Sequence, residues 1–164
     1  MSFAWLGMGS NVNAEFHIRT GIDELRQKFK NISFSPAYAS TSVGFDGDDF
    51  INLVARVETG VPPLELRQFL RELEDRYGRK RDVPKFSDRT LDIDILLYDD
   101  LVLLSPRLEL PRAEILKFSH VLKPLADIDP DLVHPTEQRT MVEIWESSGL
   151  DDSYLRLLPS LLQD

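Results

Sequence analysis

The chain has 164 residues, 42% hydrophobic and 29% charged, which is ordinary for one globular domain with a sizeable core, and it reads as a single domain over 1–164. A formal net charge of −9 disfavours a duplex nucleic-acid binder, which would be basic. The absence of cysteine excludes disulfides, thiol chemistry and most structural zinc sites, and no apolar run reaches the roughly 18 residues of a membrane span.

Phe3 to Leu6 already reads as strand, with no charged leader or cleavage site before it, so a cytoplasmic protein is expected. The strand is predicted over 3–8 and is ended by Gly7-Met8-Gly9-Ser10-Asn11. A dinucleotide fingerprint is rejected there, because Val12 stands where the third glycine belongs. Residues 13–29 read as helix, with Ile18, Ile22, Leu25 and Phe29 on one apolar face. Residues 31–44 read as one long strand, 44–49 as a turn or loop, and 50–58 as a strand, so 31–58 forms a hairpin-like pair. Pro62-Pro63 opens a second helix, whose buried stripe is Leu66, Phe69, Leu70, Leu73 and Tyr77 and whose end is marked by Gly78. Short extended pieces follow around 101–104 and 107–110, then mostly helix to the end, with the leucine-rich tail expected to dock on its own domain. The order β-α-β-β-α-β predicts an α+β fold of ferredoxin-like plan, an antiparallel sheet with helices packed on it. His17, His120 and His134 lack ligand spacing, and surface or capping roles are expected for them.

The chemistry concentrates between 75 and 98. In a strand, Asp92 and Asp94 emerge on one face, roughly 6–7 Å apart at Cα, while Leu91, Ile93 and Ile95 point into a core. Paired carboxylates in apolar surroundings repel each other, and a divalent cation, or two, is the simplest remedy. Upstream, residues 75–89 carry six Lys or Arg against three Asp, a basic island in an acidic protein. A carboxylate pair beside a cationic loop is what Mg²⁺ and a polyphosphate jointly require. The island suits a small anionic ligand rather than a polymer, so small-molecule substrates are expected, with neither nucleic acid nor membrane as partner, and a monomer.

The string Asp88-Arg89-Thr90-Leu91-Asp92-Ile93-Asp94-Ile95-Leu96 closely resembles the signature of the 6-hydroxymethyl-7,8-dihydropterin pyrophosphokinase family of the folate pathway. Gly9-Ser10-Asn11, Phe50-Ile51-Asn52, Glu74 through Gly78-Arg79-Lys80-Arg81, Arg107-Leu108-Glu109-Leu110-Pro111 and Leu122-Lys123-Pro124-Leu125 resemble its other blocks. The resemblance implies transfer of diphosphate from ATP, as co-substrate, to the pterin hydroxymethyl group, leaving AMP. It implies two Mg²⁺ ions held by Asp92 and Asp94, with Arg79 and Arg81 acting beside them in catalysis. Arg79, Arg81, Arg89 and Arg107 would contact nucleotide phosphates, and Lys85 aligns with a further basic lid residue. Val43 and Gly44 would offer backbone contacts to the pterin, Asn52 its amide-like edge, and Phe50 a stacking face. The chain departs from the family pattern in having Pro111-Arg112 for Pro-His, Phe86 for a tryptophan, and His120 where a second stacking phenylalanine is expected, with Phe118 two residues earlier. Arg112 is read as taking over a phosphate contact. Two alternatives stay open: another Mg²⁺-dependent phosphoryl or nucleotidyl transferase, and a weakly active or non-catalytic paralogue that binds nucleotide or pterin.

Overall fold

The computed structural model describes residues 1–41, 47–79, 88–159 and 161. The core elements are β1 (Ser2–Ser10), α1 (Ala14–Lys28), β2 (Ile32–Phe34), β3 (Ala37–Ser40), β4 (Phe50–Thr59), α2 (Pro63–Arg76) and β5 (Asp92–Tyr98). They are followed by β6 (Leu103–Ser105), β7 (Leu108–Leu110), a short 3-10 helix (Ala113–Leu116), α3 (Ser119–Ile128), α4 (Met141–Ser148) and β8 (Leu155–Leu158). The main sheet is antiparallel in the order β5-β1-β4-β3-β8, with β2 also paired to β4. The fold is thus mixed α and β, an antiparallel sheet carrying helices. No helix among the described residues is long and apolar enough to cross a membrane.

The helical periodicities translate directly into packing. Ile18, Ile22 and Leu25 of α1 and Leu66, Leu70 and Leu73 of α2 are all buried against one face of the sheet, with Ala4, Leu6, Met8, Ile93 and Ile95. Gly78 adopts φ +84° just beyond α2, the left-handed turn that ends a helix. The opposite face packs Trp5, Val54, Leu96 and Leu97 against Ile115, Leu122 and Leu125, and against Met141 and Ile144 of α4. Strand alternation decides the sorting: along β5, Ile93 and Ile95 enter the first core while Asp92, Asp94 and Leu96 take the other face.

Several expectations are corrected. β1 runs on through Ser10, so Gly7 and Gly9 lie within the strand and do not end it. The strand expected over 31–44 is two strands, because Ser35-Pro36 interrupts it and proline has no N–H for the ladder. Ser35 bridges the break by exchanging hydrogen bonds with Val54, whose N–H donates to Ser35 Oγ at 2.8 Å. The loop expected over 44–49 falls partly outside the described residues. The C-terminal part is not helical to its end: β8 pairs with β3, and Leu161 is buried in the first core. The tail therefore docks on its own domain, as expected, but as a strand. His17 and His134 are buried rather than on the surface. His17 Nδ1 lies against the Val12 carbonyl, and His134 Nδ1 accepts the Glu137 N–H at 3.1 Å, capping its turn.

Candidate active site

The strand register brings the candidate residues together on the α3 side of the sheet. Gly9 of β1 faces Asn52 of β4 on one side and Asp92 of β5 on the other. Gly7 likewise lies between Val54 and Asp94. At the usual strand spacing, Asn52 and Asp92 stand about 10 Å apart, with no side chain between them. A Cβ on Gly9 would meet Asn52 Oδ1 at 2.8 Å, so the glycine is what lets the amide lie across the strand. The result is a cleft of about 320 Å³, of the size that holds a small organic ligand.

Asp92 and Asp94 sit half-buried on the cleft floor, and each has an arginine. Arg79 Nη1 donates to Asp92 Oδ1 at 2.7 Å, and Arg112 Nη2 lies 3.7 Å from Asp94 Oδ2. Burial first, and the neighbouring Asp92 charge second, push the Asp94 carboxyl above the ordinary carboxylate range. That residual negative charge is what a bound cation would offset. Among the described residues no group of three metal-ligating side chains is found. Asp92 and Asp94 are the residues that could hold Mg²⁺, which is commonly held by one or two carboxylates, with phosphate oxygens and water completing the shell.

The cationic wall is Arg79, Arg89 and Arg112, all lining the cleft. Burial first, and Arg79 second, hold the Arg89 guanidinium below its ordinary value, against the opposing effect of Asp92, Asp94 and Glu74. Arg112 is ion-paired with Glu114, its Nε 2.6 Å from Glu114 Oε2. Burial alone would lower the Arg112 guanidinium, but Asp94 and Glu114 outweigh it and raise it. The aromatic part consists of Phe50, Phe118 and His120. The Phe118 and His120 rings stack on each other, centroids 5.1 Å apart and planes 21° apart. Burial lowers the His120 imidazole to about 4, so the ring is neutral near pH 7.

Of the sequence-derived candidates, Asp92, Asp94, Arg79, Arg89, Arg112, Phe50, Asn52 and His120 line one cleft. Phe118 lines it too, stacked on His120. Arg107 does not line it, and lies exposed in the turn between β6 and β7. Val43, Gly44, Arg81 and Lys85 lie outside the described residues. Two acidic residues were not singled out by the sequence. Glu114 had no periodic signal. Glu74 carried one, an acid four residues after Leu70 on an apolar stripe. It is 3% exposed, and its Oε2 accepts the Ile93 N–H at 2.7 Å, between the two aspartates.

The sequence model of 7,8-dihydro-6-hydroxymethylpterin-pyrophosphokinase (HPPK) matches residues 5–130. The chain is 36% identical over 135 residues to the 2-amino-4-hydroxy-6-hydroxymethyldihydropteridine pyrophosphokinase of Pseudomonas aeruginosa, which covers 80% of this chain and 83% of that one. It is 34% identical over 148 residues to the enzyme of the same name from Haemophilus influenzae, covering 84% and 88%. Among solved structures, the Plasmodium falciparum HPPK-DHPS triple variant with pterin and p-hydrobenzoate superposes with a TM-score of 0.72 at 16% identity. That match covers 88% of this chain and 41% of the longer one, and it speaks to the fold alone. With most of its length matched by the family, and relatives above 30% identity aligned over most of both chains, this chain belongs to the 7,8-dihydro-6-hydroxymethylpterin-pyrophosphokinase family.

Proposed function

We propose that this chain, acting in folate biosynthesis as a single domain over 1–164 and as a monomer, transfers diphosphate from ATP to 6-hydroxymethyl-7,8-dihydropterin in a Mg²⁺-dependent reaction. The hydroxymethyl oxygen forms a bond to Pβ, the bond from Pβ to the oxygen shared with Pα breaks, and AMP leaves with that oxygen. The hydroxyl proton passes to water. The observation that carries this reading is the row Asn52–Gly9–Asp92, which sets an amide and a carboxylate on either side of a bare strand. Asn52 would hydrogen-bond the edge of the pterin, and Phe50, Phe118 and His120 would stack on its ring. Asp92 and Asp94 would hold Mg²⁺, the expected number being two. The chemistry such ions supply is charge neutralisation and stabilisation of the attacking and leaving oxygens. Arg79, Arg89 and Arg112 would spread over the remaining phosphate charge, bidentate contacts being the natural use of a guanidinium. We read the core as ferredoxin-like, since β5-β1-β4 followed by β2 and β3 is the strand order of a βαββαβ unit.

A second reading, a nucleotide or pterin binder with little turnover, has one observation behind it: Arg112 pairs with Asp94, a carboxylate the metal would need. Incubation with ATP, Mg²⁺ and the hydroxymethyl dihydropterin, followed by product analysis, separates the readings. The expected products are AMP and the pterin diphosphate. ADP or pyrophosphate instead would point to another transferase, and tight binding without AMP release would point to a binder. Asp92→Asn and Asp94→Asn should each lower turnover by at least about a hundredfold while leaving the fold intact. Near-normal activity of either variant at ordinary Mg²⁺ would remove the metal assignment.

A further inference from the structure

Ser10 and Asn11 have no part in the chemistry above, yet they are among the most buried polar residues, Ser10 at 0% and Asn11 at 2% exposed. Their polar atoms converge on the backbone of a single distant residue, Arg89. Asn11 Oδ1 accepts the Arg89 N–H at 2.7 Å. The Asn11 and Val12 N–H groups donate to the Arg89 carbonyl at 2.9 and 3.2 Å, and Ser10 Oγ lies 3.3 Å from the same oxygen. The remaining donors of the Asn11 amide go to Asp88 Oδ1 at 2.8 Å and to the Asp48 carbonyl at 3.1 Å. Both hydrogen-bonding groups of the Arg89 backbone are thereby held by the end of β1, the strand that forms the cleft floor. The direction in which the Arg89 side chain leaves the backbone is set by that strand. Its guanidinium enters the cleft beside Arg79, Asp92 and Asp94.

We propose that Ser10 and Asn11 are positioning residues that act through Arg89, fixing its guanidinium relative to the aspartate pair. The proposal rests on the reading of Arg89 as a contact to nucleotide phosphate. Phosphoryl transfer is catalysed almost entirely by positioning and charge, and a displacement of about 1 Å can cost about a hundredfold. A buried amide with matched partners is also costly to truncate, so a stability effect is expected as well and must be separated from the positioning effect.

A double-mutant cycle makes the separation. Asn11→Ala, Arg89→Ala and the double variant are compared for kcat/KM with ATP and for affinity toward a Mg²⁺-bound non-hydrolysable ATP analogue. Asn11→Ala should lower kcat/KM tenfold to a hundredfold in the native background, and by less than about threefold where Arg89 is already alanine. Losses that multiply in full would mean Asn11 acts on packing alone, and would overturn the positioning role while leaving Arg89 in the site. An Asn11→Ala variant with native kcat/KM would overturn it too. Native turnover and analogue affinity in Arg89→Ala would instead remove Arg89 from the phosphate site, and this proposal with it. Should Asn11→Ala fail to fold, Ser10→Ala, which removes the hydroxyl shared between the Arg89 and Val12 carbonyls, each at 3.3 Å, enters the same cycle under the same criterion.

Discussion

Phe118 and His120 form one aromatic unit at the cleft. The neutral, half-buried His120 ring lies on Phe118 and meets Tyr154, whose hydroxyl is 3.2 Å from His120 Nδ1. A stacked aromatic pair contributes about 0.5–1.5 kcal/mol beyond its buried area. If the pterin lies between Phe50 and this pair, Phe50→Ala should weaken pterin binding about tenfold or more, with the ATP analogue changed less than about threefold. Phe118→Ala and His120→Ala should each weaken pterin binding, and the double variant should lose less than the two combined, because each ring holds the other in place. Calorimetry on the variants with pterin and with the ATP analogue measures both. Equal losses for the two ligands in Phe50→Ala would assign Phe50 to packing.

β8 and α4 close the sheet and its second core. α4 begins with a capping box, in which Thr140 and Glu143 each satisfy the other's backbone N–H, and ends at Gly149 in the left-handed region. β8 covers the otherwise exposed edge of β3 and brings Leu161 into the core at 4% exposure. Leu161→Ala should therefore cost about 2–5 kcal/mol, read as a lower denaturant midpoint with an unchanged slope. An unchanged midpoint would show that the tail is not docked in solution. That the tail docks was legible from its leucines, but its strand character was not, because Leu155-Arg156-Leu157-Leu158 is an ambiguous run of four whose strand character comes only from pairing with β3. The long amphipathic α1 and α2 were legible, since a sustained 3.6-residue period has one physical solution.

Stability of the fold should depend on pH through buried imidazoles. Burial lowers His120 to about 4 and also lowers His134, against an ordinary value of 6.5. Between about 4 and 6.5 these imidazoles bind more protons in the unfolded chain than in the folded one, so their contribution to stability falls as pH drops through that window and is fully present above it, while the raised Asp94 carboxyl acts with the opposite sign. For His120 alone the loss at pH 5 is about 2 kcal/mol. Denaturant unfolding of the native protein and of His120→Phe at pH 7.5 and pH 5 should show this loss as the difference between the two, since the opposing Asp94 contribution is common to both. An identical pH dependence in His120→Phe would show that the imidazole is not desolvated. What the sequence by itself determined was the pattern set by local chemistry: two helices with apolar stripes, a strand carrying Asp92 and Asp94 on one face, and a basic segment before it. Arg79, Asp92 and Asn52 could be named from local pattern and family resemblance, but their meeting could not. Only the tertiary structure decided that Gly9 lies between Asn52 and Asp92, that Arg112 is shared by Asp94 and Glu114, and that Arg107 is exposed in a turn rather than lining the cleft. The physical reason is that strand register and ion pairing join residues tens of positions apart, and no periodicity along the chain records which partner each will find.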